Sequence, residues 1–182
     1  MQISETPLEG VLIFEPKTYR DNRGSFVESF NHKVFAEATN NKYTFVQDNQ
    51  SLSKKGVLRG LHFQNPPHAQ GKLVRVLQGA ALDVAVDIRK GSATYGQAFS
   101  VELTPENNKQ LWIPPGFAHG FIALEDNTIF SYKCTDYYAP QSEGTIKWND
   151  PDLDINWKMK PLMVSEKDQI GLEFRTFVSQ FD

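Results

Sequence analysis

Between Ala81 and Ile88 the chain alternates strictly, with Leu82, Val84, Val86 and Ile88 separated by Ala81, Asp83, Ala85 and Asp87. A helix would scatter these apolar residues around its circumference, whereas a pleated strand gathers all of them on one face. The segment is therefore expected to be a strand with one buried face. Similar short runs recur at Val11–Phe14, Phe26–Phe30, Tyr43–Gln47, Val57–Phe63, Lys72–Leu77, Gln97–Leu103, Gln110–Ile113, Phe117–Leu124 and Thr128–Thr135. Turn formers separate many of them, among them Asp21-Asn22-Arg23-Gly24, Asn65-Pro66-Pro67, Lys90-Gly91-Ser92 and Pro114-Pro115-Gly116. Many short strands at this spacing predict a sandwich, jelly roll or barrel. Two short helices fit between them. Asn31 is a candidate cap for His32 to Ala38, with Val34, Phe35 and Ala38 inward. Ser165-Glu166-Lys167-Asp168 reads as a capping box opening another. The stretch from Tyr138 to Pro161 has little periodicity and is expected to wrap the barrel or line one mouth.

The 182 residues, 40% of them hydrophobic, are enough for one domain with a sizeable core, here taken as residues 1–182. Nineteen basic against 22 acidic side chains leave a net charge of -3, which speaks against a nucleic-acid binder held by bulk charge. The single cysteine can form neither an internal disulfide nor a thiolate cluster, and a reducing cytoplasm suits it. The opening residues MQISETPLEG have no basic and apolar regions of a signal peptide. No apolar run approaches the roughly 20 residues needed to span a bilayer. The expectation is a soluble, cytoplasmic globular protein without nucleic-acid or membrane partners.

Polar residues crowd two of the strand-like runs. In Val57-Leu58-Arg59-Gly60-Leu61-His62-Phe63-Gln64, Arg59 and His62 are three apart, which in a regular strand sends them to opposite faces. Spacing alone reads as an exposed Arg and a hydrogen-bonded core His, but Gly60 permits a bulge that would bring them together. In Phe130 to Tyr138, Tyr132 shares a face with Phe130 and Cys134; on pattern alone it is a core aromatic with a satisfied hydroxyl. His119, in Pro114-Pro115-Gly116-Phe117-Ala118-His119, resembles the second motif of the cupin jelly rolls. The first cupin motif is shadowed by Pro66-Pro67-His68, Lys72 and Gly79, with matching gaps but changed ligand types. Pro66 stands where the first imidazole would be, and Lys72 where the carboxylate would be. A lysine ammonium repels a cation, so no metal is expected there. It can instead stabilise negative charge developing on an oxygen, the office a metal would fill. Otherwise Lys72 is a surface residue with a snorkelling stem.

These segments resemble one family. Arg20 to Glu28, Gln47 to Ser51, Val57 to Gln64, Gly71 to Val76, Ile113 to Phe121, Tyr132 to Tyr138 and Trp148 to Pro151 are similar, in order, to the dTDP-4-dehydrorhamnose 3,5-epimerases, with the match running from about Leu8 to Asp168. The resemblance implies a mostly β, cupin-type jelly-roll barrel with a few short helices. It implies epimerisation of a dTDP-4-keto-6-deoxy sugar at carbons 3 and 5 through an enolate, in dTDP-L-rhamnose formation, with no cofactor. His62 resembles the family's base, Asp168 its acidic partner, Tyr132 the proton donor on the opposite face, and Lys72 the stabiliser of the keto oxygen. Arg23, Arg59 and His119 resemble contacts to diphosphate or sugar. Phe26, Glu28, Gln47 and Asn49 resemble the nucleotide contacts, and Tyr138, Glu143 and Lys167 further substrate contacts. A homodimer with exchanged N-terminal strands is also implied.

Three other readings compete. The first is a single-centre 3- or 5-epimerase, or a ketoisomerase, of the same substrate class; the second is a non-catalytic nucleotide-sugar binding module; the third is a metal-dependent cupin. His32 and His68 read as surface and loop residues, and Leu172 to Asp182 as a terminal strand or tail.

Overall fold

The computed structural model describes all 182 residues, Met1 to Asp182. Fourteen strands and two short helices follow the chain. The strands are β1 (Gln2–Glu5), β2 (Leu12–Glu15), β3 (Thr18–Asp21), β4 (Gly24–Val27), β5 (Gln47–Ser53), β6 (Val57–Gln64), β7 (Lys72–Gln78), β8 (Ala81–Asp87), β9 (Ala98–Leu103), β10 (Gln110–Ile113), β11 (Phe117–Ala123), β12 (Thr128–Cys134), β13 (Glu143–Thr145) and β14 (Met163–Val164). The helices are α1 (His32–Ala38) and α2 (Glu166–Gln169). One sheet runs β1-β2-β10-β7-β12-β5, and a second runs β13-β6-β11-β8-β9 with β14 parallel to β6. The hairpin β3-β4 pairs with neither sheet.

Apolar residues separate into three layers, and the layers explain the fold. Between the sheets, Val74 and Val76 of β7, Leu111 and Ile113 of β10 and Phe130 of β12 meet Ala81 and Ala85 of β8, Leu103 of β9 and Phe121 of β11. Each large side chain buried this way contributes roughly 1.5–3 kcal/mol. Outside the first sheet, α1 lays Phe35 against Phe14, Leu73 and Trp112. Asn31 caps this helix by accepting from the Val34 amide. Its buried face is Phe35 and Ala36, with Val34 and Ala38 only half-buried, so the inward stripe lies slightly off the expected one. Outside the second sheet, Ile146, Leu153 and Trp157 cover Leu58, Leu61, Leu82, Val84 and Val86, with Phe174, Phe177 and Phe181 packed alongside. The segment after Tyr138 therefore wraps the barrel, and the terminal residues are a packed coil with one helical turn at Phe174–Thr176 rather than a strand.

Three sequence expectations need correction. The strand read at Phe26–Phe30 is instead Gly24–Val27, and Glu28 to Phe30 run without strand pairing into α1. β8 is buried on both faces, because Leu82, Val84 and Val86 meet the outer wrap while Ala81, Asp83 and Ala85 look into the barrel. Polar alternation there marks a polar interior, not solvent. The run Tyr43–Val46 is not a strand; Tyr43 and Phe45 instead pack on Trp112 in the α1 layer. The strand begins at Gln47, where both faces are polar and hydrophobic periodicity gives no signal.

β6 carries one surplus residue. His119 lies opposite His62 and Phe121 opposite Arg59, so a two-residue step on β11 is matched by a three-residue step on β6. Gly60 sits in that step at φ +137, and a Cβ there would meet the Gly120 Cα at 2.5 Å. Gly60→Ala is expected to cost at least about 1–3 kcal/mol in backbone strain alone. Thermal denaturation checks this; an unchanged melting temperature would mean the bulge has another origin.

Candidate active site

A cavity of about 630 Å³ opens between the two sheets. A second lobe of about 300 Å³ adjoins it. His62, Lys72 and Tyr132 line both lobes and so stand at their junction. His62 comes from β6 in one sheet, while Lys72 and Tyr132 come from β7 and β12 in the other. The imidazole therefore faces the phenol and the ammonium across the cavity. Arg59 shares the main lobe with His62 because the bulge re-phases β6. Its Nε donates to the Ser53 hydroxyl at 3.2 Å.

His62 Nε2 lies 2.6 Å from Asp168 Oδ1. β14 and α2 make this possible: β14 docks beside Val57 and Leu58, and Ser165 caps α2 by accepting from the Asp168 amide. The reciprocal half of the expected capping box is not made. The Asp168 carboxylate turns instead to His62 and to the Gly60 amide, which donates at 3.2 Å. Burial pushes the Asp168 carboxyl up, but hydrogen bonds from His62, Gly60 and Ser165, with the His62 charge, outweigh it and hold it below the ordinary value. An acid held ionised and only 3% exposed fixes the orientation of the imidazole and stabilises its protonated form.

The other groups at the junction are shifted mainly by burial. It pushes the Tyr132 phenol up, against the opposing charge of Arg59, so the hydroxyl keeps its proton at neutral pH. It pushes the Lys72 ammonium down, against Cys134, Asp83 and Glu143. It pushes His119 down too, against its bond to Asp83 and reinforced by Lys72 and His62, which leaves a neutral imidazole. His68, by contrast, lines neither lobe and pairs with Asp136 at 3.4 Å.

The smaller lobe is built from β5, β13 and the turn at Tyr138. Gln47 and Asn49 point inward from β5 and bond each other at 3.1 Å. Gln47 also accepts from the Tyr138 amide at 3.0 Å. The Tyr138 hydroxyl donates to Glu143 at 3.0 Å, and Lys167 pairs with the other Glu143 oxygen. Burial raises the Glu143 carboxyl, but these two partners lower it further, and the net shift is downward. Arg23, Phe26 and Glu28 are not brought to this cavity. Arg23 is paired with its neighbour Asp21, and Phe26 and Glu28 lie beside Tyr19 at a separate surface cleft on the β3-β4 hairpin.

Sequence reasoning missed Ser51 and Ser53, which line the main lobe from β5, and Asp83 beneath it. The polar alternation of Gln47, Asn49, Ser51 and Ser53 was the available signal. Asp83 was visible only as a polar residue in an apolar run.

Comparison with known proteins gives a consistent result. The family model described as dTDP-4-dehydrorhamnose 3,5-epimerase matches residues 5–176. The dTDP-4-dehydrorhamnose 3,5-epimerase of Shigella flexneri is 52% identical over 174 residues, covering 96% of each chain. A crystal structure of the 3,5-epimerase from Legionella pneumophila in complex with dTDP-4-keto-L-rhamnose superposes with a TM-score of 0.93 at 49% identity, over 97% of this chain and 94% of that one. A 3'-monoepimerase from Streptomyces bikiniensis in complex with dTDP-quinovose has the same fold, with a TM-score of 0.88 at 34% identity over 94% of this chain and 87% of that one.

Because the Asp168 carboxyl is held below its ordinary value of 3.8, its ionised form stabilises the fold above that pH, and the contribution is lost as pH falls through the lowered folded value. The stability gap between wild type and Asp168→Asn is therefore expected to be constant near neutrality and to shrink below about pH 4. Urea titrations at stepped pH measure the gap; a gap that widens in acid would contradict the assignment.

Proposed function

The chain belongs to the dTDP-4-dehydrorhamnose 3,5-epimerase family, and from that premise we propose that it inverts carbons 3 and 5 of dTDP-4-dehydro-6-deoxy-D-glucose to give dTDP-4-dehydro-L-rhamnose, with His62, Lys72, Tyr132 and Asp168 as its catalytic set. The observation that carries these roles is the junction of the lobes, where a carboxylate-paired imidazole faces a protonated phenol with a half-buried ammonium beside it.

The chemistry follows from the pKa problem of a ketone α-proton, which is weakly acidic until the enolate is stabilised. His62 takes the proton from the carbon beside the 4-keto group, and Asp168 stabilises the resulting imidazolium. The electron pair moves onto the keto oxygen, where Lys72 meets it. The half-buried ammonium is partly desolvated, so a developing oxyanion gains more from it than it would in water. Tyr132 delivers its proton to the opposite face and inverts the centre. Solvent exchange reprotonates the phenolate and clears His62, and the cycle repeats at the second carbon. No electrons are transferred overall, so the reaction needs no redox cofactor. Arg59, with His119, is assigned to the diphosphate and sugar, and Gln47, Asn49, Tyr138, Glu143 and Lys167 to the remainder of the nucleotide sugar in the smaller lobe. The single cysteine, Cys134, is buried and unpaired, in keeping with a cytoplasmic enzyme. No helix is long and apolar enough to cross a membrane.

The same reading includes a homodimer. The β3-β4 hairpin joins neither sheet and displays Tyr19 and Phe26, 54% and 68% exposed, with ring centroids 6.4 Å apart. β5 is an edge strand beside the smaller lobe and offers unpaired backbone groups. The hairpin of one copy laid near β5 of a second would bring Arg23, Phe26 and Glu28 to the nucleotide.

Proton NMR in deuterium oxide with dTDP-4-keto-6-deoxyglucose tests the reaction. Wild type is expected to incorporate deuterium at carbons 3 and 5, His62→Ala at neither, and Lys72→Ala to turn over roughly 10²–10³-fold more slowly, by analogy with loss of one oxyanion donor. Exchange at one carbon only would move the assignment to a single-centre epimerase, and wild-type turnover in Lys72→Ala would remove that residue from the mechanism. For the dimer, co-expression of Arg23→Ala with His62→Ala chains is expected to restore activity that neither has alone, since one site of the mixed dimer would be intact. Absence of complementation in a verified mixed dimer would rule out the shared site.

A further inference from the structure

Asp83 lies in the middle of β8, fully buried, and no role above uses it. On the barrel side of the second sheet it closes a row of polar groups. His62 on β6 is opposite His119 on β11, and the Asp83 Oδ1 is 2.7 Å from His119 Nε2. The other carboxylate oxygen, Oδ2, is buried with no hydrogen-bond partner. His119 Nδ1 also has no partner in the protein, although His119 lines the cavity. A buried acid with an orphan oxygen is costly, and packing alone would be better served by an apolar residue such as Ala81 and Ala85 on the same face. The charged and titratable groups facing Asp83 and Lys72 are His119 from β11, His62 and Arg59 from β6 with Asp168 behind, Tyr132 and Cys134 from β12 and Glu143 from β13; from β9 the register neighbour of Asp83 is Val101.

We propose that Asp83 is a positioning residue for the epimerisation: it fixes His119 with its proton on Nε2, so that Nδ1 accepts from a sugar hydroxyl, and its charge keeps the Lys72 ammonium available to the enolate oxygen. This deepens the epimerase reading and rests on it. A neutral imidazole has one donor and one acceptor, so a carboxylate that takes the Nε2 proton commits Nδ1 to acceptance. A donor arriving with the substrate, not the diphosphate, suits such an atom. Burial weakens the Lys72 ammonium, and the charge of Asp83 is among those that oppose this. The orphan Oδ2 leaves carboxylate charge within the row that no protein donor neutralises.

The test is Asp83→Asn, which keeps the size and an acceptor for His119 but removes the charge. Deuterium wash-in gives kcat and KM from neutral to alkaline pH, beside wild type and His62→Ala. The variant is expected to lose roughly 10- to 100-fold in kcat, the usual scale for a partner behind a site group, with KM little changed. Without the Asp83 charge Lys72 loses its proton more readily, so the alkaline limb of kcat moves to lower pH. A merely structural residue would not move that limb. Wild-type kcat with an unmoved limb in folded Asp83→Asn overturns the proposal, while absence of exchange in wild type would sink the epimerase reading instead. Should Asp83→Asn fail to fold, ¹⁵N NMR of histidine-labelled wild type decides: His119 protonated at Nε2, with its Nδ1 resonance shifting when the sugar nucleotide binds, is expected, and the Nδ1–H tautomer overturns it.

Discussion

One surplus residue in β6 sets the geometry of the site. In a regular strand Arg59 and His62 would face opposite ways, and only the bulge at Gly60 turns both into the barrel. The same bulge releases the Gly60 amide from the ladder, and that amide donates to Asp168. The re-phasing that aims the imidazole therefore also helps anchor the carboxylate that pairs with it. Gly60 can do this because it has φ +137 and lies against Gly120, where no side chain fits.

The two imidazoles sit in contrasting surroundings. His62 is part-exposed at the junction of the lobes, while His119 is buried behind it, and each has its own carboxylate. Lys72 and Tyr132 oppose them from the other sheet, with burial pressing the lysine toward its neutral form and the phenol toward its protonated one. Proton transfer between opposite faces of a bound sugar needs an acceptor and a donor that cannot simply neutralise each other. His62 on one sheet and Tyr132 on the other, facing across the cavity, suit the proposed acceptor and donor to that need.

Apolar packing outside the sheets makes the polar interior tolerable. The α1 layer covers one sheet and the C-terminal wrap the other, so the strands retain large buried areas even where their inward positions are spent on polar groups. The wrap also carries β14 and α2, which deliver Asp168 to His62 over 106 residues of sequence. The β3-β4 hairpin stands apart from both layers, and Arg23, Phe26 and Glu28, on it and just after it, are the members of the candidate substrate-binding set that a single chain leaves away from the cavity.

The sequence by itself determined most of the strands, the first helix and its cap, and the β-barrel class, because period-two burial and turn chemistry are local properties. Through family resemblance it also picked out His62, Lys72, Tyr132 and Asp168. Periodicity failed where a strand faces a polar cavity, as in β5, and where a strand is buried on both sides, as in β8. Only the tertiary structure decided that Ser165 caps α2 without a return bond because Asp168 is committed to His62, and that Asp83 stands against His119 with an oxygen unsatisfied. Hydrogen bonds between residues distant in sequence depend on where the sheets cross and which strands are neighbours, and no local pattern encodes that.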